Sequence, residues 1–180
     1  MDLDQLALLT QQAAERADTG PSEVDEALRK AVERAGHYIS HRPRSERQVR
    51  DKLRSLDYEP LTIDAALERL RGLGLVDDAD FARRWIEERA RTKGKAPDVL
   101  VSELRARGVG REVAEGALAE VGLEEDTQAL EVASRFVRRV LRFPLGEQGP
   151  RLYKLLRRRG FSHEHAEAGA RAVLPPEGWD

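Results

Sequence analysis

The chain has 180 residues, of which 36% are charged and 5% aromatic, and it has no cysteine. A chain of this length buries roughly 70% of the surface its unfolded form exposes, so it needs no covalent staples. The lack of cysteine excludes disulfide scaffolds, cysteine zinc sites and thiol chemistry. The formal net charge of -2 names no partner, so its distribution along the chain has to be read instead.

The first residues, Met1-Asp2-Leu3-Asp4, are acidic and lack the basic and apolar regions of a signal peptide. No window approaches the ~18 consecutive apolar residues of a membrane span. A soluble, cytoplasmic protein with no membrane partner is expected. Residues 1–21 form an N-terminal extension. Leu3, Leu6, Leu9 and Ala13 suit one amphipathic turn series, which Asp18-Thr19-Gly20-Pro21 breaks. It reads as a weakly held helix or a disordered tail.

Three units of about 51 residues follow: repeat one over 22–73, repeat two over 74–122 and repeat three over 123–174. Residues 175–180 form a frayed tail. Apolar residues at helical spacing mark the first helix of each unit: Ala31/Val32, Ala35 and Ile39; then Phe81/Ala82, Trp85/Ile86 and Ala90; then Val132/Ala133, Phe136/Val137 and Val140/Leu141. Second helices are predicted around 46–55, 97–107 and 149–159, and third helices around 61–72, 111–121 and 163–173. The register is carried by Leu53, Leu104 and Leu156. Val49, Leu100 and Leu152 stand four positions earlier, and Asp57, Gly108 and Gly160 four later. Tyr58, Val109 and Phe161 come next. Ser45 with Gln48 forms a capping-box pattern. Asp77 or Asp78, and Ser162, are placed to cap helices, and Gly108 and Gly160 to end them. No period-two strand pattern occurs. The fold class is therefore all-α: three tandem three-helix repeats forming an elongated, curved helical array.

Charge follows the same period. Segment 41–54 holds six basic side chains against two acidic ones. Segment 89–111 holds seven against two, and segment 138–159 eight against one. Between them, 112–131 carries seven carboxylates and no Lys or Arg. Each basic segment is the same piece of its repeat: the end of helix one, the loop and helix two. With constant stacking these pieces form a stripe for a polyanion or an acidic protein. Its candidate residues are Arg42, Arg44, Arg47 and Arg50 in repeat one, and Lys93, Lys95, Arg105 and Arg107 in repeat two. Repeat three adds Arg151, Lys154, Arg157, Arg158 and Arg159. The bland alternative is that these residues simply solvate helix faces.

Catalytic chemistry is not indicated. Thr92-Lys93-Gly94-Lys95 lacks the upstream glycine and the following Ser/Thr of a phosphate loop. Asp77, Asp78 and Asp80 are the best carboxylate cluster, but no nucleophile or histidine accompanies them, and helix capping explains them better. His37 and His41 stand at i, i+4 without a third metal ligand. Tyr153 and Trp179 are the aromatics expected to be exposed. No catalytic residue, cofactor or metal is expected.

Four segments together resemble the RecX family: Arg44-Ser45-Glu46 with Val49 and Lys52-Leu53; Gly74-Leu75-Val76-Asp77-Asp78-Ala79-Asp80-Phe81-Ala82; Leu104-Arg105-Ala106-Arg107-Gly108-Val109; and Leu156-Arg157-Arg158-Arg159-Gly160-Phe161. The resemblance covers about residues 27–173. It implies three tandem three-helix repeats and a regulator that lies in the groove of the RecA–DNA filament. Such a regulator usually inhibits ATP hydrolysis, strand exchange and the coprotease function, in DNA repair, recombination and the SOS response. Some members also bind DNA, and a monomer is expected. Two departures stand out: Asp57 in place of a glycine, and Gly110 where a capping Asp or Ser is usual. Two other readings compete. One is a direct DNA-binding protein built of helix-turn-helix-like units, which the net charge of -2 opposes. The other is a helical-repeat scaffold for another acidic protein.

Overall fold

A computed structural model describes residues 22–179. The reading of residues 1–21 as a helix or tail lies outside the described residues. Nine α-helices and one 3-10 turn make up the described chain, with no strand among the described residues. By internal contact the chain divides into two units. The first holds described residues 22–44 and 49–76, and the second holds 45–48 and 77–179.

In the first unit, α1 (Glu23–Ser40) begins at a capping box: Ser22 Oγ accepts from the Asp25 amide, and the Asp25 carboxylate accepts from the Ser22 amide. Helix α2 is Glu46–Arg54, and α3 is Pro60–Gly72, with Pro60 at a first-turn position where its missing N–H costs nothing. Ala31 and Ala35 of α1, Val49 and Leu53 of α2, and Ile63, Ala66, Leu67 and Leu70 of α3 close one core with Val76. Each fully buried leucine contributes about 2–3 kcal/mol, while the alanines of α1 let the α3 leucines approach.

The second unit contains two more triplets. The first is α4 (Asp78–Lys93), α5 (Pro97–Ala106) and α6 (Arg111–Val121); the second is α7 (Glu125–Val140), α8 (Leu145–Arg157) and α9 (His163–Val173). Each closes its own core. Phe81, Ile86, Leu100 and Leu104 dominate one, and Val132, Leu152, Leu156 and Phe161 the other. Asp77 caps α4, its Oδ1 accepting from the Ala79 and Asp80 amides at 2.8 and 3.0 Å. The carboxylate cluster is thus helix-terminal chemistry: its Asp78 accepts from the Glu46 amide at 2.8 Å, and Asp80 pairs with Arg83 and Arg84.

The repeat register is built into the backbone. After each second helix the chain makes the same left-handed reversal. Tyr58, Val109 and Phe161 donate their amides back to the carbonyls of Leu53, Leu104 and Leu156, and Asp57, Gly108 and Gly160 donate to Arg54, Arg105 and Arg157. This double pattern ends a helix through one left-handed residue. Gly108 and Gly160 have φ of +87° and +93°, and Asp57 takes φ +60° in the same role without being glycine. Gly110 does start α6, with no side-chain cap.

Within the second unit a contact recurs with the repeat. Segment 96–99 lies on 159–160: the Ala96 amide donates to the Arg159 carbonyl at 3.0 Å, and a Cβ on Gly160 would meet Val99 Cγ2 at 2.1 Å. Segment 45–48 lies on 107–108 in the same way. Ser45 Oγ donates to the Arg107 carbonyl at 2.6 Å, and a Cβ on Gly108 would meet the Arg47 stem. Ser45 also forms its predicted capping box with Gln48. Two further bonds tie α7 to the end of α4. Buried Gln128 donates to the Ala90 carbonyl at 3.1 Å, and Arg135 to the Arg91 carbonyl at 2.8 Å. The Ala90 carbonyl also accepts from the Gly94 amide that ends α4, so Gln128 is its second donor.

Two local expectations differ from the structure. Helix α8 begins at Leu145, four residues before the predicted start, and runs through Pro150. Pro150 is the sixth residue of the helix and has no amide to donate to the Gly146 carbonyl. The tail is not frayed over its described part. Pro176–Gly178 form a 3-10 turn, and Trp179 packs over Gly149 of α8 with Arg171 stacked on its ring at 4.4 Å. Trp179 and Tyr153 are half-buried, and Phe143 is the exposed aromatic among the described residues.

Candidate partner-binding surface

The thirteen basic residues singled out from the sequence separate by what their side chains already do. Several are spent on structure. In repeat one, Arg44 stacks on Tyr38 at 4.1 Å and Arg50 pairs with Asp64. Arg47 lays its stem against Gly108. In repeat two, Lys95 pairs with Glu103 at 3.7 Å. Arg107 covers Trp85 at 3.7 Å and donates to the Glu103 carbonyl. Arg89 stacks on the same ring at 4.3 Å, and the indole N–H donates to Glu103. In repeat three, Arg157 donates to the Phe161 carbonyl at 2.6 Å.

Arg107 on Trp85 has a counterpart 52 and 51 positions later in Arg159 on Phe136, at 4.3 Å. Both arginines also donate to the carbonyl four residues back, Glu103 and Leu155. Such stacks are worth ~0.5–2 kcal/mol each. In repeat one the equivalent positions are Arg34 and Leu56, so that unit lacks the device.

Arg42, Lys93, Arg105, Lys154 and Arg158 are exposed and make no side-chain hydrogen bond, ion pair or ring contact among the described residues. Two of these five converge in repeat three. There α7, α8 and the loop between them enclose a groove of about 760 Å³. Arg151 and Lys154 of α8 and Arg158 just after it line the groove from successive turns, with Arg159 next to them and Arg139 from α7. Val140, Phe143, Pro150 and Leu155 supply apolar lining. Glu147 is the single carboxylate there, and it holds Arg151, which stacks on Phe143 at 3.9 Å. Five cations against one anion make the groove strongly positive. Burial first, and then the like charges of Arg135, Arg139 and Arg158, lower the pKa of the half-buried Arg159 guanidinium. An arginine remains charged at any physiological pH, so the crowding is relieved by an incoming anion rather than by proton loss.

Arg139 is missing from the residues singled out by sequence. Its signal was available: it lies between Phe136 and Val140 on α7, next to the apolar stripe that faces α8. Arg157, singled out, faces the Phe161 carbonyl and does not line the groove.

One grouping superficially suggests hydrolytic chemistry. Ser162 Oγ lies 2.7 Å from His165 Nδ1, and Glu125 lies 3.4 Å from the same nitrogen. Serine and carboxylate share one ring nitrogen, so the imidazole cannot relay a proton between them. Ser162 Oγ also accepts from the His165 amide, and Glu125 accepts from the Ser162 amide: the group caps α9. No set of three His, Cys, Asp or Glu residues is arranged for a metal among the described residues. No described helix is long and apolar enough to cross a membrane.

Tandem three-helix units, the third carrying a strongly basic groove, make the described chain a helical-repeat protein. The family model for the RecX first three-helix domain matches residues 31–70, and that for the RecX second three-helix domain matches 77–118. The "Regulatory protein RecX" of Prosthecochloris aestuarii is 37% identical over 78% of this chain and 91% of its own length. That of Levilactobacillus brevis is 38% identical over 76% of this chain. The chain spans about half the length of the L. brevis and Bacillus subtilis relatives. A crystal structure of RecX from Lactobacillus salivarius superposes with a TM-score of 0.69 at 23% identity, covering 82% of this chain and 97% of that one. The chain belongs to the RecX family of regulatory proteins.

Proposed function

We propose that this protein regulates a RecA recombinase by docking on the RecA–DNA filament in the cytoplasm, acting as a non-enzymatic inhibitor of ATP hydrolysis, strand exchange and the coprotease function. Family membership supports the partner. The observation that carries the mode of action is the groove of repeat three, where five cations stand assembled against the single carboxylate of Glu147. Like charges held together by a fold are costly unless a partner's anions meet them. Inhibition then needs occupancy alone, with no reacting group.

Contacts of this kind are individually worth ~0.2–1 kcal/mol, so single substitutions act weakly and combined reversals strongly. Arg139→Glu with Arg158→Glu changes the groove without touching the core. Arg159 is unsuitable for reversal because its guanidinium stacks on Phe136 and binds the Leu155 carbonyl. The test is single-stranded-DNA-dependent ATP hydrolysis by the cognate RecA, with increasing amounts of this protein at two salt concentrations. The wild-type chain lowers the rate. The double variant inhibits less, and the difference widens at low salt, where screening is weaker. Unchanged hydrolysis with saturating wild-type protein refutes the reading.

A further inference from the structure

We infer that the groove of repeat three is a binding site for an acidic peptide segment that carries one large apolar side chain. The groove has two chemistries in a fixed arrangement. Its walls are cationic, with Arg139 on α7, Arg151 and Lys154 on α8 and Arg158 at the end of that helix. Its lining between them is apolar, with Val140, Phe143, Pro150 and Leu155. Leu141 and Leu145, 50% and 56% exposed, continue the apolar surface along the loop from α7 to α8, and Phe143 itself is 38% exposed. A volume of about 760 Å³ lies in the range of side-chain and small-ligand pockets.

This combination selects among anions. A single strand of nucleic acid takes its affinity from phosphate contacts plus a succession of aromatic stacking platforms. Here Phe143 is the only aromatic lining the groove, and one face of its ring lies under Arg151 at 3.9 Å. A peptide needs no such platforms. Its carboxylates match guanidinium groups with planar, bidentate geometry. Its leucine or phenylalanine side chain displaces water from the apolar lining. Arg151 is held by Glu147 and so keeps its place on the ring while the unpartnered Arg139, Lys154 and Arg158 take the incoming carboxylates.

The inference deepens the regulatory reading by naming the chemistry of the partner segment, but its test contains no recombinase. Failure of peptide binding therefore leaves the ATP-hydrolysis result standing, and the reverse also holds. The probe is a short fluorescein-labelled peptide of Asp and Glu with one central Leu, followed by anisotropy with the full chain. A second peptide has Gly in place of the Leu, and a third probe is oligothymidylate of matched charge. The Leu peptide is expected to bind about tenfold more tightly than the Gly peptide, as burial of one aliphatic side chain implies. Arg139→Glu with Arg158→Glu should weaken it by about tenfold or more. Phe143→Ala should remove most of the Leu preference while keeping the charge-driven part. The control Arg29→Glu with Arg34→Glu makes the same charge change on α1, outside the groove, and should leave the affinity within about twofold. Circular dichroism confirms that each variant keeps its helices. The inference is overturned if the groove and control reversals weaken binding equally, or if the Leu and Gly peptides bind alike. It is also overturned if oligothymidylate binds more tightly than the Leu peptide and loses that affinity in the groove variant, which would make the site one for nucleic acid.

Discussion

Gly160→Ala is the sharpest probe of how the repeats are joined within the second unit. Gly160 has φ +93°, a conformation that costs a residue with a Cβ about 1–2 kcal/mol. The new methyl would also lie 2.1 Å from Val99 Cγ2, well inside contact distance, and relieving such overlap costs ~1–3 kcal/mol. The single variant should therefore lose ~2–5 kcal/mol. Val99→Ala alone removes two methyl groups from a half-buried position, at ~1 kcal/mol. In the double variant the overlap disappears, because the remaining neighbours, Val99 Cβ and Ala96 Cβ, lie 3.4 and 3.7 Å away. Only the backbone cost and the lost methyls remain, about 2–3 kcal/mol. The two substitutions should thus couple favourably by ~1–3 kcal/mol. The assay is equilibrium urea unfolding in a Trp85→Phe background, where fluorescence comes from Trp179 alone. That ring packs over Gly149 and so reports on repeat three. Additive losses, with coupling under ~0.5 kcal/mol, would show that Val99 does not occupy the space over Gly160.

Other expectations follow from single residues. Asp57→Gly should raise the urea midpoint by the equivalent of ~0.5–1 kcal/mol, since Asp57 adopts φ +60° where its repeat equivalents are glycine; a loss of stability would mean the Asp57 side chain contributes more than its strain costs. Asp77→Ala should cost ~1 kcal/mol and Asp77→Ser much less, because Asp77 Oδ1 accepts two first-turn amides; equal loss in both, read by thermal melting, would rule out capping as its role. Gln128→Leu removes one of two donors to the Ala90 carbonyl, which keeps the Gly94 amide, and should destabilise by ~0.5–1.5 kcal/mol, measured from unfolding followed at 222 nm.

The basic residues show where sequence reasoning stops. The periodic placement of Arg107 and Arg159 was legible, but not that both cover aromatic rings of their first helices. Arg157 and Arg158 are neighbours in a run of three arginines. One donates to the Phe161 carbonyl, and the other stands exposed at the groove. Composition treats them alike, because which guanidinium finds a partner depends on where a separate helix or loop passes.

The amino-acid order alone determined everything with a short range. Leu53, Leu104 and Leu156 set the register, Ser45 and Asp77 start helices, and Gly108 and Gly160 end them. Asp57 is the odd member of that series in the sequence, and it takes the same left-handed φ. These signals survive in sequence because helix periodicity, capping and left-handed turns are decided within about five residues. Tertiary structure decided the rest. It carried α8 through Pro150, seated Trp179 on Gly149, joined Gln128 to Ala90 across 38 positions and brought Arg139 to the same groove as Lys154 and Arg158. Contacts like these depend on how far apart and at what angle two helices pack, quantities summed over many side chains and written in no single stretch of the chain.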